Sequence, residues 1–229
     1  MAARYYKCPK TGNKLPSVTT ISGVLDKPAL LYWAVNCACN YILENLSTDP
    51  FCPYKAEEIY PIVESARKNF RKVSATALDI GSAVHEAIER YLKTGKEPQA
   101  PSNEVLSAFL AFLEWLDTWK SWETVTTEMT VYSDRYAGTC DWVVILNGKK
   151  YLVDFKTHND ESKAKLPYEE VRFQTAAYRA TDDSIQGNGV LYLGKTKGLP
   201  KWFDLSDTYE QDLKVFNLLT ELWYARRGE

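Results

Sequence analysis

The sequence predicts an α/β fold, a mixed central β-sheet flanked by helices, with a helical layer at the N-terminal side. Three observations carry this. Apolar residues recur at helical spacing through much of the first 120 residues. After Trp122 the pattern changes to runs of β-branched residues around an Asn147-Gly148 turn. The remainder alternates helix, strand, strand, helix, an order that suits a sheet covered on both faces.

Taken in order, Lys10-Thr11-Gly12-Asn13-Lys14 reads as a turn. Asp26-Lys27-Pro28 opens a helix, with Asp26 as candidate cap and Pro at an early position. Leu30, Leu31, Trp33, Ala34, Ala38, Tyr41, Ile42 and Leu46 follow at helical spacing, and Ser47-Thr48-Asp49-Pro50 ends the helix. Tyr54 to Leu92 reads as helix in two or three pieces, interrupted at Pro61 and Gly81. Ser102 caps a helix that uses Leu106, Phe109, Leu110, Leu113 and Leu116. Strands follow at Thr124–Tyr132, Ala137–Leu146 and Tyr151–Phe155, with Asn147-Gly148 joining the last two as a hairpin. Pro167–Thr181 is helical, Gly189–Leu193 a buried strand and Lys201–Leu205 a short strand. Ser206 caps a last amphipathic helix. No linker is visible, so one domain is expected over 1–229, with 1–120 mainly helical, 121–205 the sheet and its helix, and 206–229 the C-terminal helix.

With 229 residues, 45% hydrophobic and 13% aromatic, the chain can bury a sizeable core, which excludes wholesale disorder. The longest apolar stretch, Ala29–Val35, is too short to span a bilayer, and Met1–Tyr6 has no secretory apolar core. A soluble, cytoplasmic protein with no membrane partner is expected. Net charge −2 argues against coating nucleic acid by bulk electrostatics, but not against a local groove with a metal. Five cysteines without a CxxC pair argue against disulfides or a zinc knuckle and for buried free thiols.

The chemistry concentrates in Gly138-Thr139-Cys140-Asp141 and Asp154-Phe155-Lys156. Twelve residues separate the two aspartates, and the hairpin turn lies between them, so both carboxylates sit on adjacent antiparallel strands. Lys156 shares a strand face with Asp154. Converging carboxylates repel unless a hard cation lies between them, and oxygen ligands suit Mg2+ or Mn2+. The main-chain carbonyl of Phe155 offers a further oxygen. Lys156 beside such an ion stabilises charge on a phosphoryl group. The competing reading is a surface ion pair on a hairpin. The apolar neighbours Tyr151-Leu152-Val153 and Trp142 to Leu146 make these core strands, where charge is costly without a purpose.

Four short patterns occur in one order: Gly81-Ser82-Ala83-Val84-His85, Gly138-Thr139-Cys140-Asp141, Asp154-Phe155-Lys156-Thr157 and Gln174-Thr175-Ala176-Ala177-Tyr178. In that order they resemble the RecB-type branch of the PD-(D/E)XK nuclease superfamily. Leu15-Pro16-Ser17-Val18-Thr19-Thr20-Ile21 and Lys27-Pro28-Ala29-Leu30 resemble the mitochondrial genome maintenance exonuclease group and its phage relatives. The resemblance covers about residues 15–180 and implies a restriction-endonuclease-like core. It implies Asp141 and Asp154 as metal-binding acids, Lys156 as catalytic lysine and His85 as a further metal ligand. Glu128 is the candidate additional acid, with a solvated strand glutamate as the equal alternative. Gln174 and Tyr178, four apart on one helical face, are implied to lie near the active site and contact DNA. Some RecB-type nucleases carry an iron–sulfur cluster built from one cysteine before these motifs and three after. No cysteine follows Cys140, so no cluster is expected.

The function expected is a Mg2+- or Mn2+-dependent DNA exonuclease acting on single strands or frayed ends, in repair or recombination in a bacterial or phage-infected cell. Recombination or replication proteins are candidate partners. A structure-specific endonuclease and a catalytically silent DNA-binding subunit are the alternatives. Arg67, Lys68, Arg71 and Lys72 form a basic stripe that could join Arg4, Lys7, Lys10 and Lys14 in tracking phosphates, or be a solvated helix face. Ser17, Thr19 and Thr20 are candidate phosphate donors or, equally, turn and cap residues. Tyr32 and Trp33 are candidate base-stacking platforms.

Overall fold

The structure, a computed structural model, describes residues 3–46, 54, 56–159 and 166–228. Its elements run β1 (Tyr5–Lys7), β2 (Lys14–Pro16), α1 (Val18–Ser22), α2 (Pro28–Asn45), α3 (Ala56–Thr94) and α4 (Asn103–Leu116). They continue β3 (Trp122–Tyr132), β4 (Ala137–Leu146), β5 (Lys149–His158), α5 (Glu169–Arg179), β6 (Gly187–Gly194), β7 (Pro200–Asp204), a 3-10 turn (Ser206–Thr208) and α6 (Tyr209–Ala225). Strand order in the large sheet is β3-β4-β5-β6-β7, and only β5 and β6 run parallel. This is the mixed α/β sheet that the sequence predicts. Among the described residues no helix is long and apolar enough to cross a membrane.

Helices cover both faces because the strands are apolar on both. On one side Phe112 and Trp115 of α4 meet Trp142, Phe155 and Trp202 edge-on or tilted, with centroids 5.1–6.2 Å apart. On the other, Val18 and Ile21 of α1, Phe173 and Ala177 of α5, and Phe216 and Trp223 of α6 pack with Val143 and Leu152. Each such large side chain contributes about 1.5–3 kcal/mol by leaving water.

The Asn147-Gly148 turn is as expected: both residues have positive φ (48° and 84°), as a type I′ hairpin requires. Ser102 caps α4 by accepting the Val105 N–H. Several expectations are corrected. Asp26 does not cap α2: its carboxylate accepts the Lys27 N–H, and Pro28, with no N–H to satisfy, starts the helix without a side-chain cap. Pro61 and Gly81 do not break α3, which is one helix of 39 residues. Pro61, the sixth residue of α3, forgoes its own N–H bond without ending the helix, and Gly81 sits in helical backbone with ordinary space around it. Ser206 does not cap α6, because its hydroxyl donates to Asp204 Oδ1 at 2.5 Å and a 3-10 turn intervenes. The hairpin β1–β2 around the Lys10–Lys14 turn went unread, being only three residues per strand. The expected helix end at Ser47–Pro50 lies outside the described residues, as does Cys52. Of the other cysteines, all free, Cys8 and Cys140 are buried, Cys37 is partly buried and Cys39 exposed.

The chain forms two compact units: Met1–Leu25 with Gly81–Glu229, and Asp26–Ile80. The boundary falls inside α3, so no linker composition marks it. In the smaller unit Asn69 of α3 donates to the Cys37 carbonyl of α2 at 3.1 Å, and α2 buries none of its side chains. The larger unit holds the sheet, the β1–β2 hairpin and every residue of the site described next.

Candidate active site

The β4–β5 ladder runs from the turn to the pair Trp142↔Val153 and stops one position short of Asp141 and Asp154. There the strands part, and the Asp141 side chain takes the place of a main-chain acceptor: the Phe155 N–H donates to its Oδ2 at 2.7 Å. β5 stays regular against parallel β6, so alternation puts Asp154 and Lys156 on one face. Lys156 Nζ lies 2.5 Å from Asp154 Oδ2, and Gln174 Nε2 of α5 donates to Asp154 Oδ1 at 3.0 Å.

His85 comes from the last part of α3. Its Nε2 donates to the Phe155 carbonyl at 3.0 Å, and its Nδ1 faces Asp141 Oδ1 at 3.5 Å. Glu128 reaches the same place from β3 through an uncommon backbone. Its φ is +49°, left-handed space that disfavours any residue with a Cβ. Such local cost, of order 1–3 kcal/mol, is concentrated at functional positions. One donor atom each from His85, Glu128 and Asp141 lies within 4.8 Å of the others.

The electrostatics follow from crowding. Burial presses His85 toward the neutral form, but the Asp141 carboxylate outweighs it and raises the imidazole pKa. Burial alone would raise Asp141, yet His85, Lys156 and the Phe155 N–H hold it below the ordinary carboxylate value. Glu128 is pushed up by burial and then by the Asp141 charge. For the Asp154–Lys156 pair, burial wins at the carboxylate, which moves up, while attraction to Asp154 and Asp141 overcomes burial at the ammonium, which also moves up.

His85, Glu128, Asp141, Asp154, Lys156 and Gln174 therefore lie together, but not as one ligand set. The compact donor set is His85, Glu128 and Asp141, whereas the Asp154 charge is met by Lys156 and Gln174. Tyr178 lies buried beside Gln174, whose Nε2 donates to its hydroxyl at 3.4 Å. Ser17 is corrected as a phosphate donor: it is buried, its Oγ accepts the Thr20 N–H as the cap of α1, and its hydroxyl is bonded to Thr20 Oγ1. Thr20 Oγ1 also accepts the Arg4 N–H, while Thr19 is exposed. Arg67, Lys68, Arg71 and Lys72 are exposed on α3 in the other unit, and Arg67 pairs with Glu64 at 2.9 Å. Tyr32 and Trp33 are 71% and 36% exposed. Sequence reasoning missed the bond from Tyr6 to Thr139, 3.2 Å, two residues before Asp141, because nothing local couples residues 133 apart.

No family model matches this chain, and no curated protein matches it. Among solved structures it is similar to one described as the crystal structure of SSO0001. The match has 16% identity and a TM-score of 0.30, and covers 61% of this chain and 72% of that one.

Proposed function

We propose that this protein is a Mg2+- or Mn2+-dependent DNA exonuclease that hydrolyses phosphodiesters at single-stranded or frayed ends. The observation that carries the reading is the His85, Glu128 and Asp141 donor cluster directly beside the Asp154–Lys156 pair. Its donor chemistry, carboxylate oxygens with one imidazole, suits Mn2+ or Mg2+. Those three side chains would hold the ion; the other two expected ligands, the Asp154 carboxylate and the Phe155 carbonyl, are engaged by Lys156 and Gln174 and by His85 Nε2. A divalent ion bound there would polarise the phosphoryl group and activate water.

The chain's own residues do the remaining work. The Phe155 N–H fixes the Asp141 carboxylate, and Gln174 fixes that of Asp154, so neither has to be ordered when substrate arrives. Lys156 supplies positive charge where the transition state gathers negative charge. Replacing Lys156 by Ala is therefore expected to lower turnover by roughly 10²–10³-fold with little change in DNA affinity. Steady-state cleavage and equilibrium binding on the same variant check this. A loss confined to affinity would move Lys156 out of the chemistry.

Dependence on ends comes from the resemblance to exonucleases, as do repair or recombination, partner proteins of those processes and a cytoplasmic location. One digest tests the reading. End-labelled linear and closed circular single-stranded DNA are incubated with Mg2+, Mn2+ or EDTA. Linear DNA is expected to be degraded with either metal, circles to persist, and EDTA to stop the reaction. Rapid cutting of circles would favour the endonuclease alternative, and binding without cleavage the silent-subunit one.

A further inference from the structure

The first 25 residues contain Arg4, Lys7, Lys10 and Lys14 and no acidic residue; the first acid is Asp26. All four basic side chains are exposed. None has an acidic ion-pair partner among the described residues. In a chain of net charge −2 this is a local excess against the overall balance.

The hairpin register makes the excess more telling. Lys7 of β1 stands directly opposite Lys14 of β2. Like charges directly opposite each other on neighbouring strands are destabilising. A two-stranded ribbon is marginal to begin with, so it gains nothing internally from this pair. An anion lying across the pair would relieve that repulsion.

The hairpin is also fixed to the site. Tyr6 pairs its hydroxyl with Thr139 Oγ1 at 3.2 Å, Ser17 bridges to Ala137 of β4, and Leu15 packs with Ala137. Thr139 precedes Asp141 by two residues, about 6.6 Å along a strand. The Arg4 guanidinium lies over the Tyr6 ring, 4.9 Å from its centroid, which places a further cation over that anchor.

We propose that the β1–β2 hairpin is a clamp for the phosphate backbone of single-stranded DNA. Lys7 and Lys14, on the face opposite Tyr6 and Leu15, share phosphates across the ribbon, and Arg4 over the Tyr6 ring adds a third cation. This rests on the nuclease reading for its ligand and extends it to a surface that the four motifs do not include. Phosphates lying across the ribbon relieve the repulsion between its two lysines.

The test is binding in EDTA, read by anisotropy of a labelled single-stranded oligonucleotide over a range of salt. It uses the full chain and a Lys7→Gln/Lys14→Gln variant. The variant is expected to bind on the order of tenfold more weakly at low salt. Its log–log salt slope should be flatter by roughly 1.4, about 0.7 for each lost phosphate contact. Its melting temperature should be no lower than wild type, because the change removes a repulsion. An unchanged affinity and slope would overturn the clamp, as would weaker binding accompanied by a lower melting temperature, since the lysines would then be supporting the fold. Wild-type cleavage in Mg2+ and Mn2+ is measured alongside. Binding that depends on Lys7 and Lys14 without any cleavage keeps the clamp and removes the nuclease reading. Cleavage with an unchanged slope does the reverse, and a wild type that neither binds nor cleaves removes both.

Discussion

Asp141→Asn and Asp154→Asn are each expected to lower cleavage by roughly 10³-fold or more, while binding of DNA survives. The amide has the size of the acid and keeps one acceptor oxygen, so the fold has little reason to change. What is lost is charge. At Asp141 the loss falls on the cluster with His85 and Glu128, and an amide oxygen can still accept the Phe155 N–H. At Asp154 the effect is compounded: the new NH2 must face either the Lys156 ammonium or the Gln174 amide donor, both of which now point at carboxylate oxygens. Single-turnover cleavage in Mg2+ and Mn2+, with binding measured in parallel, decides the matter. Wild-type rates in either variant would remove the site assignment.

The second large effect is on stability. Arg172 of α5 holds Asp212 of α6 through two hydrogen bonds, Nη2 to Oδ1 at 2.5 Å and Nε to Oδ2 at 3.3 Å. Asp212 is 1% exposed, and Thr208 also donates to it, at 2.7 Å. Arg172→Ala strands that carboxylate without its cation, which typically costs about 3–5 kcal/mol. That is a large fraction of the roughly 5–15 kcal/mol that holds a domain folded. Replacing both partners by apolar residues, Arg172→Met with Asp212→Leu, should recover most of the loss, since a buried pair rarely outperforms good packing. Urea unfolding of the three proteins measures this. A cost below about 1 kcal/mol for Arg172→Ala would show that water reaches Asp212 readily.

The sheet was legible because its signals are local. Asn147-Gly148 dictates a turn type, and β-branched runs flank it. Asp141, Asp154 and Lys156 were legible for the same reason, since hairpin register and strand period place them together. Glu128 could not be decided from sequence: its approach depends on a left-handed backbone step that glutamate does not advertise. The continuity of α3 through Pro61 and Gly81 was not legible because a proline or a glycine in a helical pattern reads as a break unless the packing around it is known. The β1–β2 hairpin was invisible because three-residue strands carry no measurable period, and its anchor on β4 is entirely non-local.

One contact ties the glycine ahead of Asp141 to α5. A Cβ on Gly138 would stand 2.3 Å from the Tyr178 ring and 2.7 Å from its hydroxyl, whereas one on Gly81 would meet only Thr157 Oγ1 at 3.7 Å. The glycine ahead of Asp141 and the tyrosine that closes the fourth pattern are therefore two halves of one steric agreement, with the ring occupying the volume that the glycine vacates. A larger side chain at residue 138 must be met by a smaller or turned one at 178, whereas position 81 has room for a methyl group.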